Sequence, residues 1–137
     1  MDDRSLEILK KNLASEKAVA FAYLFGSRAK GDAGKSSDID IAVYLKAGTD
    51  DFQYRLKLAE QIAKDIGKQE VDLVVLNRAT PLLRHQIVKT GVVVKESRED
   101  RVDFETRCLQ EYLDTRHLRD TQLSYLRKQI REGTFFG

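Results

Sequence analysis

Two aspartates one residue apart, Asp38 and Asp40, open the apolar stretch DIDIAVYL at 38–45. Strands are depleted in Asp, and a buried, unpaired carboxylate is costly unless it is neutralised or binds a cation. Side chains two apart on a strand share a face, so both acids project together while Ile39 and Ile41 point into a core. Side by side they repel unless positive charge sits between them. A hard divalent cation such as Mg2+ suits oxygen donors of this kind.

Upstream, Gly26-Ser27 follows the apolar run AVAFAYLF at 18–25. A turn there can aim backbone N–H groups and the Ser27 hydroxyl at an anion, as phosphate-cradling loops do. A third acid stands in EVDLVVL at 70–76, where Asp72 alternates with Val71, Leu73 and Val75. If that strand neighbours the Asp38/Asp40 strand, three carboxylates converge. Three acids can hold two metals about 3.5–4 Å apart, which clamps the attacking and leaving oxygens of an in-line phosphoryl displacement. Asp72 is then placed to help deprotonate an acceptor hydroxyl. An anion cradle beside a metal site is what a metal-chelated nucleoside triphosphate requires.

The elements that must position these groups are legible in the patterning. Leu6, Leu9 and Leu13 recur at helical spacing within residues 3–15. The run 18–25 reads as a buried strand ending at Gly26, and 38–45 as a strand by its period of two. AGT at 47–49 is a turn; Thr49 is the expected N-cap of a helix to about Asp65, and Gly67 its C-cap. A strand at 70–76 follows. Thr80-Pro81 pairs an N-cap with proline at the first helical position, opening a helix to about Thr90 that Gly91 ends. VVVKE at 92–96 is a short strand, and the Gly- and Pro-free stretch from Arg98 to about Glu132 reads as one long helix or two abutting ones. At 1.5 Å per residue this segment could reach roughly 50 Å, so it either breaks or projects toward a partner. The fold class is α/β: a small mixed sheet with flanking helices plus a long C-terminal helical segment. The chain divides into a core at 1–97 and a helical segment at 98–137, the latter part of the same domain or partner-binding.

Length and composition agree with one globular domain: 137 residues, 42% hydrophobic and 34% charged. A net charge of +2, from 24 basic and 22 acidic residues, gives no global case for binding nucleic acid or membrane. There is no basic run and no interleaved aromatic pattern for stacking bases. The single Cys108 fits a reducing compartment. MDDRSLEILKK carries acids early and lacks an apolar core, unlike a signal peptide. The longest apolar run is far below the roughly 20 residues of a membrane span. A cytoplasmic location is expected.

Gly26-Ser27, ten residues, Asp38-Ile39-Asp40 and a later Asp72 resemble the signature of the nucleotidyltransferase superfamily related to DNA polymerase beta. With each residue type at about 5–7% of positions, the fixed-spacing part arises by chance in about two chains per thousand of this length, so the resemblance is specific. Chain length and the wording GSRAKGDAGKSSDIDIAV resemble most the minimal members, the MntA-type antitoxins of HEPN/MNT toxin–antitoxin systems. The resemblance implies the nucleotidyltransferase fold and transfer of AMP from ATP to a tyrosine of a HEPN ribonuclease toxin, silencing it. It assigns the terminal phosphates to Gly26 and Ser27, two Mg2+ ions to Asp38, Asp40 and Asp72, and the nucleophile to Asp72. ATP as the nucleotide rests on this resemblance alone.

Other residues admit blander readings. Arg28, directly after Ser27, is the best placed of the flanking cations to bind triphosphate, whereas Lys30 and Lys35 are as readily solvated. Ser37 either supports a metal ligand or begins the strand. His85 and His117 lack partners at zinc-ligand spacing. Arg78 and His85 fit the loose Arg-to-His spacing of HEPN ribonucleases, but Pro81 and a helix start intervene, which reads as coincidence. Tyr112, Tyr125 and the leucines of the terminal segment, with Phe135 and Phe136, leave apolar surface for a partner. With only a helical tail beyond the core, a folded protein that brings its own binding surface is the expected acceptor. The alternatives are the same chemistry on RNA or a small molecule, or a non-catalytic antitoxin acting by stoichiometric binding.

Overall fold

The computed structural model describes residues 3–26, 39–49, 51–67 and 70–131. The elements follow the expected order: helix α1 (Asp3–Ser15), strands β1 (Val19–Phe25) and β2 (Ile39–Leu45), helix α2 (Asp51–Ile66), strand β3 (Val71–Val75), a 3-10 turn (Leu76–Arg78), helix α3 (Pro81–Thr90), strand β4 (Val92–Lys95) and helix α4 (Arg98–Arg131). The four strands lie in the order β3-β2-β1-β4. β1 pairs antiparallel with β2 and β4, and β2 pairs parallel with β3, so the sheet is mixed.

Each face of the sheet is covered. On one, Ile39, Ile41 and Val43 of β2, all fully buried, meet Leu9 and Leu13 of α1 and Leu58 and Ile62 of α2. On the other, Phe21, Tyr23 and Ala42 pack with Ile87 of α3 and Phe104 and Cys108 of α4. A register irregularity between Val19 and Phe21 lets both Ala20 and Phe21 join that second layer. Tyr44 stacks on Phe21 at 4.9 Å between centroids, with Phe104 5.4 Å from Phe21. Burying a large apolar side chain contributes about 1.5–3 kcal/mol, so this aromatic cluster is a main anchor of α4. Tyr23 strengthens it by donating a 2.6 Å hydrogen bond to Glu105 Oε1.

The local signals act largely as their chemistry dictates. Leu83 N–H donates to Thr80 Oγ1 at 3.3 Å, the N-cap of α3 with Pro81 at its first position. Gly67, at φ +118, ends α2. Thr49 is a correction: α2 begins at Asp51, and the Thr49 hydroxyl donates instead to Lys46 O at 2.9 Å, closing the turn before the helix. A threonine two residues ahead of a helix can satisfy the preceding turn as readily as the helix end.

The terminal segment is one helix of 34 residues, about 51 Å long at 1.5 Å per residue. Its only buried residues among those described are Phe104 and Cys108. Beyond Tyr112, whose ring stacks on His85 of α3 at 3.6 Å, the helix leaves the sheet and projects. Phe135 and Phe136 lie outside the described residues.

Candidate active site

β2 and β3 run parallel with Asp40 and Asp72 as register partners. Neighbouring strands stand about 4.8 Å apart, so the two side chains issue side by side from one face. It is the α3/α4 face, shared with Ala42 of β2 and Val74 of β3 by the period of two. Asp40 is half-buried and Asp72 exposed. Opposed like charges destabilise a sheet unless positive charge offsets them. Two hard oxygen donors converging at an accessible sheet end are the donor set that Mg2+ favours, so the residues present fit that ion.

β1 ends where these acids begin. Phe25 is the register partner of Asp40, and Gly26 follows it at φ +76, a conformation that side chains disfavour. A Cβ on Gly26 would collide with Asp40 Oδ2 and lie 3.2 Å from its Cγ. Glycine therefore lets the backbone turn directly over the Asp40 carboxylate. The glycine turn at the end of β1 and the Asp40 carboxylate are thus neighbours across the β1–β2 pair. Ser27, Arg28 and Asp38, with Lys30, Lys35 and Ser37, lie outside the described residues.

On the far side of Asp72 lies an open cleft of about 320 Å³, lined by Phe52, Arg55, Asp72 to Val75, Arg78 and Ala79. The sequence reading passed over Phe52 and Arg55. The available signal was a phenylalanine in the first turn of a helix, 63% exposed in the fold. Arg78 and His85 do not share a site: Arg78 lines this cleft, whereas His85 stacks on Tyr112.

Two further residues fix the end of β2. Asn77 accepts from Leu45 N–H and donates to Leu45 O, both at 2.9 Å, in the manner of an added strand. Arg84 donates to Leu76 O at 2.9 Å and Asn77 O at 2.7 Å, while its guanidinium lies 5.7 Å from the Phe104 ring. The turn carrying Arg78 is held from both sides.

Residues 7–100 match the family Polymerase beta, Nucleotidyltransferase. The protein adenylyltransferase MntA of Shewanella oneidensis is 32% identical over 111 residues, 81% of this chain and 76% of MntA. A toxin–antitoxin crystal structure with AMP-PNP contains a chain that superposes with TM-score 0.76 at 28% identity, over 92% of this chain and 98% of that one. A second complex, of a tri-AMPylated Shewanella oneidensis HEPN toxin with MNT antitoxin, superposes with TM-score 0.74 at 28% identity and the same coverage. No helix among the described residues is long and apolar enough to cross a membrane. With its strand order, its paired acids and a family match spanning most of its length, the chain belongs to the polymerase beta nucleotidyltransferase family.

Proposed function

We propose that this chain is an adenylyltransferase that moves AMP from ATP to a hydroxyl, by the family resemblance a tyrosine, of a HEPN ribonuclease toxin, and so acts as its antitoxin in the cytoplasm. The register pairing of Asp40 with Asp72, beside the Gly26 turn, carries the proposal. The relatives support the acceptor: one is named a protein adenylyltransferase, and a complex of the same fold holds an AMPylated HEPN toxin.

In this reading Asp38, Asp40 and Asp72 hold Mg2+, as two ions. When bound, the metal neutralises triphosphate charge and polarises the phosphorus under attack. Gly26 and Ser27 hold the terminal phosphates through backbone N–H groups and hydroxyl, with Arg28 adding charge. The acceptor hydroxyl approaches from the Asp72 side, and Asp72 accepts its proton as attack proceeds. Residues 1–97 form the catalytic core, and 98–137 the arm that engages the toxin.

The test is to incubate the protein with α-labelled ATP and Mg2+ in lysate of its source organism, with an Asp38→Asn/Asp40→Asn double variant as control. A labelled protein band that the variant fails to produce is expected. Label in RNA or small molecules would overturn the acceptor, and no label anywhere would overturn the catalytic reading.

A further inference from the structure

We infer that Asn77 sets the register of β3 against β2 and thereby keeps Asp72 abreast of Asp40, as a positioning residue for the paired acids. The inference rests on the reading of those acids as metal ligands.

The apolar pattern alone does not fix that register. Ile39, Ile41, Val43 and Leu45 recur at every second position of β2, and Val71, Leu73 and Val75 do the same on β3. A slip of one residue would turn the apolar row of β3 to the wrong face. A slip of two leaves it facing α2, where Leu73 and Val75 lie in one buried layer with Leu58 and Ile62. β3 is an edge strand of five residues, with β2 as its single strand neighbour among the described residues. No second ladder opposes the slip. At about 3.3 Å per residue, it would carry Asp72 about 6.6 Å along β2. Oxygen ligands stand about 2.0–2.1 Å from Mg2+, so two ligands of one ion lie within about 4.2 Å of each other. A slipped Asp72 therefore no longer shares an ion with Asp40.

Asn77 singles out one register. Backbone partners from Ile39 with Val71 to Val43 with Val75 keep a constant offset of 32 residues. β3 then gives way to the 3-10 turn Leu76–Arg78, and the backbone leaves the ladder. Asn77 continues it with its side chain at the same offset. Its Oδ1 accepts from Leu45 N–H and its Nδ2 donates to Leu45 O, each at 2.9 Å. One carboxamide supplies both the acceptor and the donor, and a slip of two residues breaks both bonds. Arg84 steadies the turn itself, donating to Leu76 O at 2.9 Å and to Asn77 O at 2.7 Å. At the acidic end of the pair, Ile39 N–H donates to Glu70 O at 3.0 Å. Asn77 is exposed, so removing its side chain opens no core cavity and acts on the ladder.

The experiment is made on the full chain. It reads Mn2+ affinity from the electron paramagnetic resonance of the free ion, and amide hydrogen exchange across residues 71–75. Asn77→Ala should bind Mn2+ at least about tenfold more weakly. Its β3 amides should exchange at least about tenfold faster, with those of β1 unchanged. Asn77→Asp keeps the acceptor for Leu45 N–H and loses the donor to Leu45 O; it should fall between, and it decides the matter if the alanine variant does not fold. Val94→Ala, on β4 at the other edge of the sheet, should melt earlier yet bind Mn2+ as wild type does. If Val94→Ala weakens Mn2+ binding as much as Asn77→Ala does, Asn77 contributes general stability and the inference is overturned. Unchanged exchange in Asn77→Ala overturns it as well, and so does faster exchange with Mn2+ affinity intact. Asp40→Asn/Asp72→Asn separates the underlying reading: if that variant binds Mn2+ as tightly as wild type, the acids are not metal ligands and the reading fails first.

Discussion

A single carbon added to Gly26 would strike the Asp40 carboxylate across the β1–β2 pair and lie 3.2 Å from Asp40 Cγ. The absence of a side chain at Gly26 therefore leaves this acid its place. Gly26→Ala places a side chain at φ +76, which costs about 1–2 kcal/mol, and displaces Asp40 as well. A misplacement of about 1 Å at a reacting centre can reduce rate about 100-fold. We expect Gly26→Ala to lose AMP transfer to about that degree while the melting temperature falls only by a few degrees. Label transfer and thermal melting on one preparation check both parts; near-normal transfer would mean that Asp40 is not a ligand in the reaction.

Asp72→Asn separates chemistry from folding. Its side chain is exposed, and exposed substitutions usually change stability by no more than about 0.5 kcal/mol. As proton acceptor and metal ligand it should nonetheless account for about 10²- to 10⁴-fold in rate. Single-turnover AMP transfer by the variant, at Mg2+ raised stepwise, is the measurement. Activity restored fully by high Mg2+ would leave Asp72 as a metal ligand and remove it as the base.

The same pair of residues shows what a sequence can and cannot convey. The alternation around Asp40 placed it on a strand facing away from Ile39 and Ile41, because a period of two is a local property. That β3 lies parallel and next to β2, with Asp72 opposite Asp40, depends on a crossover through α2 that no local pattern encodes. Thr49 illustrates the opposite failure, a cap signal captured by the turn before it. Asn77 and Arg84 were invisible for a different reason: they act by side-chain bonds to the backbone of Leu45 and Leu76, a choice of partner made only once the chain is folded. The cleft beside Asp72 was likewise missed because Phe52, Arg55 and Arg78 meet only in three dimensions.

Stability should decline in alkali, beginning near pH 9. Burial and donation to Glu105 raise the Tyr23 phenol well above its ordinary value, and burial with donation to Glu16 does the same for Tyr54. Burial pushes the Cys108 thiol up to about 11. Unfolded, these groups release their protons at about pH 8.5–10, so above that range the folded state binds more protons than the unfolded one. By linkage, a raised folded pKa stabilises fully below the unfolded value and the contribution is lost as pH rises through the folded one. The midpoint of urea denaturation should therefore fall between pH 8 and pH 10.5, and Tyr23→Phe should flatten the slope. A midpoint constant across that range would contradict the buried environments of these groups.

The distal half of α4 offers the last prediction. Eighteen residues are five helical turns, so Leu126 lies in line with Cys108, and Ile130 with Tyr112. In the proximal half that line packs on the sheet and on His85, and Arg119 adds its guanidinium 4.1 Å from the Tyr112 ring. In the distal half it continues as Leu126 and Ile130, 38% and 59% exposed, with no element of the described chain beneath them. Internal packing therefore does not account for these apolar side chains, whereas a helix of the toxin laid along the line would. Leu126→Gln/Ile130→Gln should leave thermal melting within about 0.5 kcal/mol of wild type. Toxin affinity should weaken at least tenfold, because two buried interface anchors commonly cost about 1 kcal/mol or more each. Titration calorimetry against the toxin gives the affinity directly. Unchanged affinity with a lowered melting temperature would return the stripe to the chain's own fold and leave the proximal face to bind the toxin.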